Sequence, residues 1–136
     1  SRPIPKTIGF KEIRWYSYVN PEQFDETLDW LRSLQAPGAI IFLFRNLDNT
    51  MKSGWWAEMK PEKKARDRAK LEKFEERARA YAATHTDSSV VVTYEDFISD
   101  AAAPQSVCDL LGVRFDEKVW QRVLDRKLEH MHTKKN

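Results

Sequence analysis

The stretch Ala39-Ile40-Ile41-Phe42-Leu43-Phe44-Arg45-Asn46-Leu47-Asp48-Asn49-Thr50-Met51-Lys52-Ser53-Gly54-Trp55-Trp56 decides the fold. Ala39 to Phe44 is a continuous apolar run, the pattern of a strand covered on both faces. The run delivers Arg45, and Ser53 follows eight residues later inside the next helix, with Asp48 or Asn49 able to cap it. A cation at the carboxyl end of a parallel strand, facing the start of a helix, is a physical recipe for an anion site. Phosphate is the first ligand to expect there.

Two further strands are expected around this one. Thr7 to Trp15 (TIGFKEIRW) is apolar and β-branched at first and then charged, and Ser89 to Thr93 (SVVVT) is a second buried run. Helices fill the intervals. Asn20-Pro21 opens one in which Phe24, Leu28, Leu31 and Leu34 recur at helical spacing before Pro37-Gly38 ends it. Pro61 to about Thr84 is long and charged, with Ala65, Ala69, Phe74, Ala78 and Tyr81 as its sparse apolar side. Pro104 to Leu111, stopped by Gly112, and Asp116 to about Met131 are helical, with His130 and His132 at a fraying end and Lys134 to Asn136 frayed. Strand and helix alternate, so the fold class is α/β, with a parallel sheet and helices on its faces.

Composition limits what this architecture can do. A chain of 136 residues is one domain and large enough for a core of its own. Lys and Arg number 23 against 21 Asp and Glu, and a net charge of +2 is too small to argue for nucleic acid by itself, so nucleic acid is not the expected partner. Cys108 is the only cysteine, which excludes an intramolecular disulfide, and with three histidines the chain has little material for a zinc site; no metal is expected. No apolar run approaches the roughly 20 residues of a membrane span. The expected setting is soluble and cytoplasmic.

In an open α/β sheet, ligands collect at the carboxyl ends of the strands. Lys11, Glu12 and Arg14 fall near the end of the first expected strand, Arg45 ends the second, and Tyr94, Glu95 and Asp96 follow the third. One rim would then carry cations, an aromatic ring and carboxylates, a set suited to a phosphorylated ligand bearing a base. The helix from Lys60 to Arg79 holds nine Lys or Arg against five Asp or Glu. It reads either as a solvated face with intrahelical pairs such as Glu75 with Arg79, or as a wall attracting an acidic glycan or an anionic donor.

The chain resembles the C-terminal part of a sulfotransferase that uses 3'-phosphoadenosine 5'-phosphosulfate, of the bacterial or carbohydrate type. Residues 39 to 53 resemble that family's 3'-phosphate motif, Val90 to Asp96 (VVVTYED) its next strand and Tyr-Glu-Asp signature, and Gly9 to Trp15 (GFKEIRW) the strand before the phosphate motif. The resemblance implies a P-loop-like three-layer fold. It implies that Arg45 and Ser53 hold the 3'-phosphate, that Tyr94 lies near the adenine, and that Lys11 approaches the sulfuryl group. Arg14 is a further cation for the nucleotide, and Trp15, Trp55 and Trp56 offer aromatic faces to a sugar acceptor, with at least one of them expected in the core. The co-substrate would be 3'-phosphoadenosine 5'-phosphosulfate, and the acceptor a hydroxyl of a glycan or glycolipid.

The family's glycine-rich phosphosulfate loop has no counterpart among the four glycines here, so residues 1–136 read as a single, partial domain lacking the N-terminal strand, loop and helix. An upstream segment or a second chain would complete it. Sulfuryl transfer is an in-line displacement that needs positioned cations and a base for the attacking hydroxyl. Ile13 stands where many members carry histidine, which leaves Glu12 as the expected base, although residues 11 and 12 of a regular strand point to opposite faces. Two other readings stay open: a non-catalytic module that binds adenosine 3',5'-bisphosphate, and a basic-helix domain that binds a polyanion.

Overall fold

A computed structural model describes residues 9–34 and 38–133, with side chains through residue 126. Thr7 and Ile8 of the first expected strand, Pro37 and the expected fraying of Lys134 to Asn136 lie outside the described residues, as do the side chains of His130 and His132. The architecture is mixed α/β and mostly helical. Among the described residues, its sheet has two parallel strands, β1 (Ile40–Phe44) and β2 (Ser89–Thr93), in the register Ile40 to Ser89 through Phe44 to Thr93.

Ahead of β1 come α1 (Trp15–Tyr18), a 3-10 turn (Pro21–Gln23) and α2 (Phe24–Ser33). Asn20 starts this unit, its side chain accepting the Glu22 N–H at 3.1 Å, with Pro21 supplying a φ suited to a first turn. Asp25 and Glu26 in the first turn and Arg32 in the last complement the helix dipole of α2. Phe24 and Leu28, one turn apart, are its buried residues, whereas Leu34 is exposed.

Between the strands lie α3 (Leu47–Met51), α4 (Gly54–Ala57) and the long α5 (Pro61–Thr84). Phe24, Leu28, Phe42, Ala78 and Tyr81 form the core, with Ile40, Phe44, Phe74 and Val91 packed against it, so α2 and α5 cover one face of the sheet. The buried stripe of α5 runs through Asp67, Ala78 and Tyr81, and the expected Ala65 and Ala69 are exposed. The reason is geometric: Asp67, Phe74 and Tyr81 recur every seven residues and share a face that Ala65 and Ala69 do not.

After β2 come α6 (Tyr94–Ser99), α7 (Ala102–Leu111) and α8 (Glu117–Thr133). Gly112 ends α7 in the left-handed region at φ 66°, with the Val113 N–H reaching back to the Cys108 carbonyl at 3.0 Å. The Trp120 indole N–H donates to the Phe97 carbonyl at 3.0 Å and ties α8 to α6. α6 and α7 pack on β2, and Val92 is buried, but Ile41 and Leu43 on the same face of β1 are 39% and 54% exposed. The apolar run therefore forms a strand, Ile40–Phe44, that packs closely on its Phe42 face and stays largely open on its Ile41 and Leu43 face.

The first expected strand does not form among its described residues. Residues 9–14 are irregular, and Phe10 and Ile13 are exposed, so among the described residues no neighbouring layer covers the apolar side chains of a strand. The Glu12 carboxylate accepts the Arg14 N–H at 2.6 Å, a local bond that takes a backbone donor a ladder would need, and α1 begins at the next residue.

Tyr81 is 1% exposed, and burial pushes its phenol above the ordinary value, so it stays protonated and donates to Asp29 at 2.7 Å while accepting from Arg32 at 3.0 Å. Tyr81→Phe is expected to lower stability by about 1–2 kcal/mol, read as a lower urea midpoint at unchanged slope. Because the folded pKa is the higher one, the tyrosine's contribution is complete below the unfolded value of about 10 and is lost as pH rises through the folded value. Tyr81→Phe should flatten that alkaline loss in a pH series of unfolding curves.

Candidate functional site

The parallel register brings the carboxyl ends of β1 and β2 side by side, and the residues after each strand meet there. The Arg45 guanidinium lies over the Tyr94 ring, 5.2 Å from its centroid. The Asn46 N–H donates to Glu95 Oε1 at 3.0 Å, a second bridge across the same rim. Thr93 fixes the start of α6 by accepting the Asp96 N–H at 3.1 Å, and Asn46 fixes α3 by accepting the Asn49 N–H at 3.2 Å. Both caps follow from the residue types.

A groove of about 460 Å³ opens at this rim, lined by Arg45, Arg68, Asp48, Glu75, Thr93 and Glu95 among others. Arg68 is held by Asp48 at 2.7 Å and Glu72 at 3.2 Å, and Glu75 is held by Arg79 at 2.7 Å, the intrahelical pair the sequence leads one to expect. These carboxylates raise the Arg68 pKa, chiefly through the Asp48 hydrogen bond, so the side chain is a fixed guanidinium. Among the described residues Arg45 enters no ion pair, so its charge is the one in this groove available to an anion.

The expected helix cap and the expected place of Ser53 are both different. The cap is Asn46; Asp48 and Asn49 lie inside α3. Ser53 is not inside a helix but at the junction of α3 and α4, where Gly54 takes φ 54° and breaks the helical path. The half-buried Ser53 hydroxyl donates to the Thr50 carbonyl at 3.0 Å. α3 is one turn long and the Asn46 side chain takes its Asn49 N–H, so the helix start that Arg45 was expected to face is capped in part by its own chain.

The other expected site residues divide. Lys11, Glu12 and Arg14 are exposed in the irregular segment rather than at a strand end, and none of them lines the groove of Arg45. Their displacement follows from the missing strand. Arg14 instead stacks over Trp55 at 5.7 Å, and the Tyr18 hydroxyl is the main cause of its raised pKa. Trp56 is 8% exposed and packs against Tyr16, while Trp15 is half-buried against the core and Trp55 is exposed.

A second groove, of about 470 Å³, lies between α1, α4 and α5, lined by Arg14, Tyr18, Trp55, Lys63, Arg66 and Lys70 among others. The counting of charges along residues 60–79 hides it, because the sum over a helix mixes faces. The spacing of 63, 66 and 70 at i, i+3 and i+7 was the signal available. No family model matches the chain, and neither a curated protein nor a solved structure matches it.

Asn46→Ala removes the cap of α3 and should cost about 1 kcal/mol in chemical unfolding, with Asn46→Asp close to wild type.

Proposed function

We propose that this chain carries the nucleotide-binding part of a sulfotransferase, which moves a sulfuryl group from 3'-phosphoadenosine 5'-phosphosulfate to a hydroxyl of a glycan or glycolipid. The observation that carries the reading is the pairing of Arg45 with the Tyr94 ring at the carboxyl ends of two parallel strands. A guanidinium offers several donors to a phosphate, and an aromatic ring beside it offers a face to a base. That combination suits an adenosine phosphate better than a bare anion.

In this reading the 3'-phosphate meets Arg45, with the Ser53 hydroxyl as a second donor once it leaves the Thr50 carbonyl, and the adenine lies near Tyr94. The two-stranded sheet is the part of a P-loop-like three-layer fold that carries this end of the nucleotide. No glycine-rich phosphate-cradling loop stands in the sequence, and in this reading an upstream segment or a second chain supplies the hold on the 5'-phosphosulfate. Lys11 and Glu12 serve the sulfuryl group and the hydroxyl proton only when residues 9–14 are drawn over the rim. Charge on the transferred group is then stabilised by positioned cations, while a carboxylate takes the proton.

Calorimetric titration of the full chain with adenosine 3',5'-bisphosphate is expected to give saturable heat. Arg45→Ala should weaken that binding about tenfold or more, the loss of one charge-assisted contact of about 1.5–3 kcal/mol. Absence of heat with Arg45 intact would sink the nucleotide reading. Transfer of labelled sulfate to an acceptor panel separates an enzyme from a module that only binds the nucleotide.

A further inference from the structure

Helix α5 presents two differently charged flanks on either side of its buried stripe. On one flank, Arg68, Glu72, Glu75 and Arg79 neutralise one another in ion pairs. On the other, Lys63, Arg66, Lys70, Lys73 and Arg77 recur at i, i+3, i+7, i+10 and i+14 with no acidic residue in the row. Positions so spaced share one helix face and here span about 21 Å of axis. Only Lys63 has a partner, Asp67 at 2.5 Å; among the described residues Arg66, Lys70, Lys73 and Arg77 enter no ion pair.

Like charges set side by side repel one another, so a row of this kind is a cost to the fold until a counter-charge arrives. The second groove opens at the amino-terminal end of the row and adds Arg14 to it, for four cations against the single carboxylate of Asp67. It also adds two aromatic faces: Trp55 is 49% exposed and Tyr18 is 68% exposed. Trp55 lies between the Arg14 guanidinium, 5.7 Å from its centroid, and the Trp56 ring, 6.2 Å away, and half of its surface stays open to a ligand ring.

We propose that this groove and the cationic row of α5 bind an acidic glycan, a linear chain of sugars carrying sulfate or carboxylate groups, with one sugar ring against Trp55 and its charged groups along Arg66, Lys70, Lys73 and Arg77. A polyanionic nucleic acid fits less well. Single-stranded nucleic acid is held by a track of aromatic platforms for successive bases, whereas here the aromatic side chains sit only at one end of the row. A glycan chain needs a single stacking platform and spaced cations, which is what α5 and α4 supply. The site shares no residue with the rim of Arg45 and does not depend on the nucleotide reading.

The test follows tryptophan fluorescence of the full chain titrated with a sulfated heparin-derived octasaccharide, the same octasaccharide stripped of sulfate and reduced at its carboxyl groups, and a single-stranded oligothymidylate of equal charge. Saturable binding of the sulfated chain is expected, weakened tenfold or more by Arg66→Ala with Lys70→Ala, weakened by Trp55→Ala, and unaltered by Arg45→Ala. The pair Lys118→Ala with Arg122→Ala on α8 removes the same charge elsewhere and should leave binding within twofold. All these positions are exposed, and circular dichroism melting checks that each variant folds. The proposal is overturned if no saturable binding occurs, if the uncharged chain or the oligothymidylate binds as tightly, or if the α8 pair weakens binding as much as the α5 pair.

Discussion

The contact on which the rest of this fold depends is the one Tyr81 makes in two directions at once. Its ring meets Phe42 edge-on at 6.3 Å and stacks on His85 at 3.9 Å, while its hydroxyl reaches across to Asp29 and Arg32 of α2. A buried phenol without partners would cost stability, and with them it fixes the distance between two helices as well as their apolar contact. Phe42 is thereby clamped under α2 and α5, with Phe24 stacked on it at 6.5 Å. Because Phe42 sits at the centre of β1, the position of Arg45 three residues on is set from this core.

The second organising element is α5 itself. One helix supplies the buried stripe, the ion-paired flank bordering the rim of Arg45, and the unpaired cationic flank bordering the groove of Trp55. The two grooves differ in what they can attract. At the rim, carboxylates outnumber guanidiniums among the lining residues and Arg68 is ion-paired, which leaves Arg45 as the lining cation with no ion pair among the described residues. In the other groove four cations stand against the single carboxylate of Asp67, which among the described residues pairs with Lys63 alone.

Much of this was legible in the chain because local signals agreed with packing. The apolar runs 40–44 and 89–93 form the two strands, Asn20-Pro21 opens α2's turn, and Gly112 stops α7 where a left-handed residue is needed. The parallel pairing that joins Arg45 to Tyr94 followed from strand and helix alternation. The failures have a common cause, which is that a strand or a helix face is defined by its neighbours. Residues 9–14 have strand-like composition but no covering layer, Leu43 is as apolar as Phe42 yet lies on the uncovered face, and Asp67 takes a place that Ala65 and Ala69 would be assigned by polarity alone. Ser53 is itself extended, between the end of α3 and a glycine of positive φ that opens α4, a local break that periodicity does not register.

The rim bridge between Asn46 and Glu95 joins residues 49 apart in sequence. Closing a flexible loop of that length costs roughly 3 kcal/mol before the strands return anything, and two short strands return little by themselves. Parallel pairing of this kind becomes affordable only when the intervening chain is already shortened, which a 24-residue helix does. The 24-residue α5 does for this parallel pair what a short turn does for a hairpin: it shortens the chain between Phe44 and Ser89 so that the two carboxyl ends can meet.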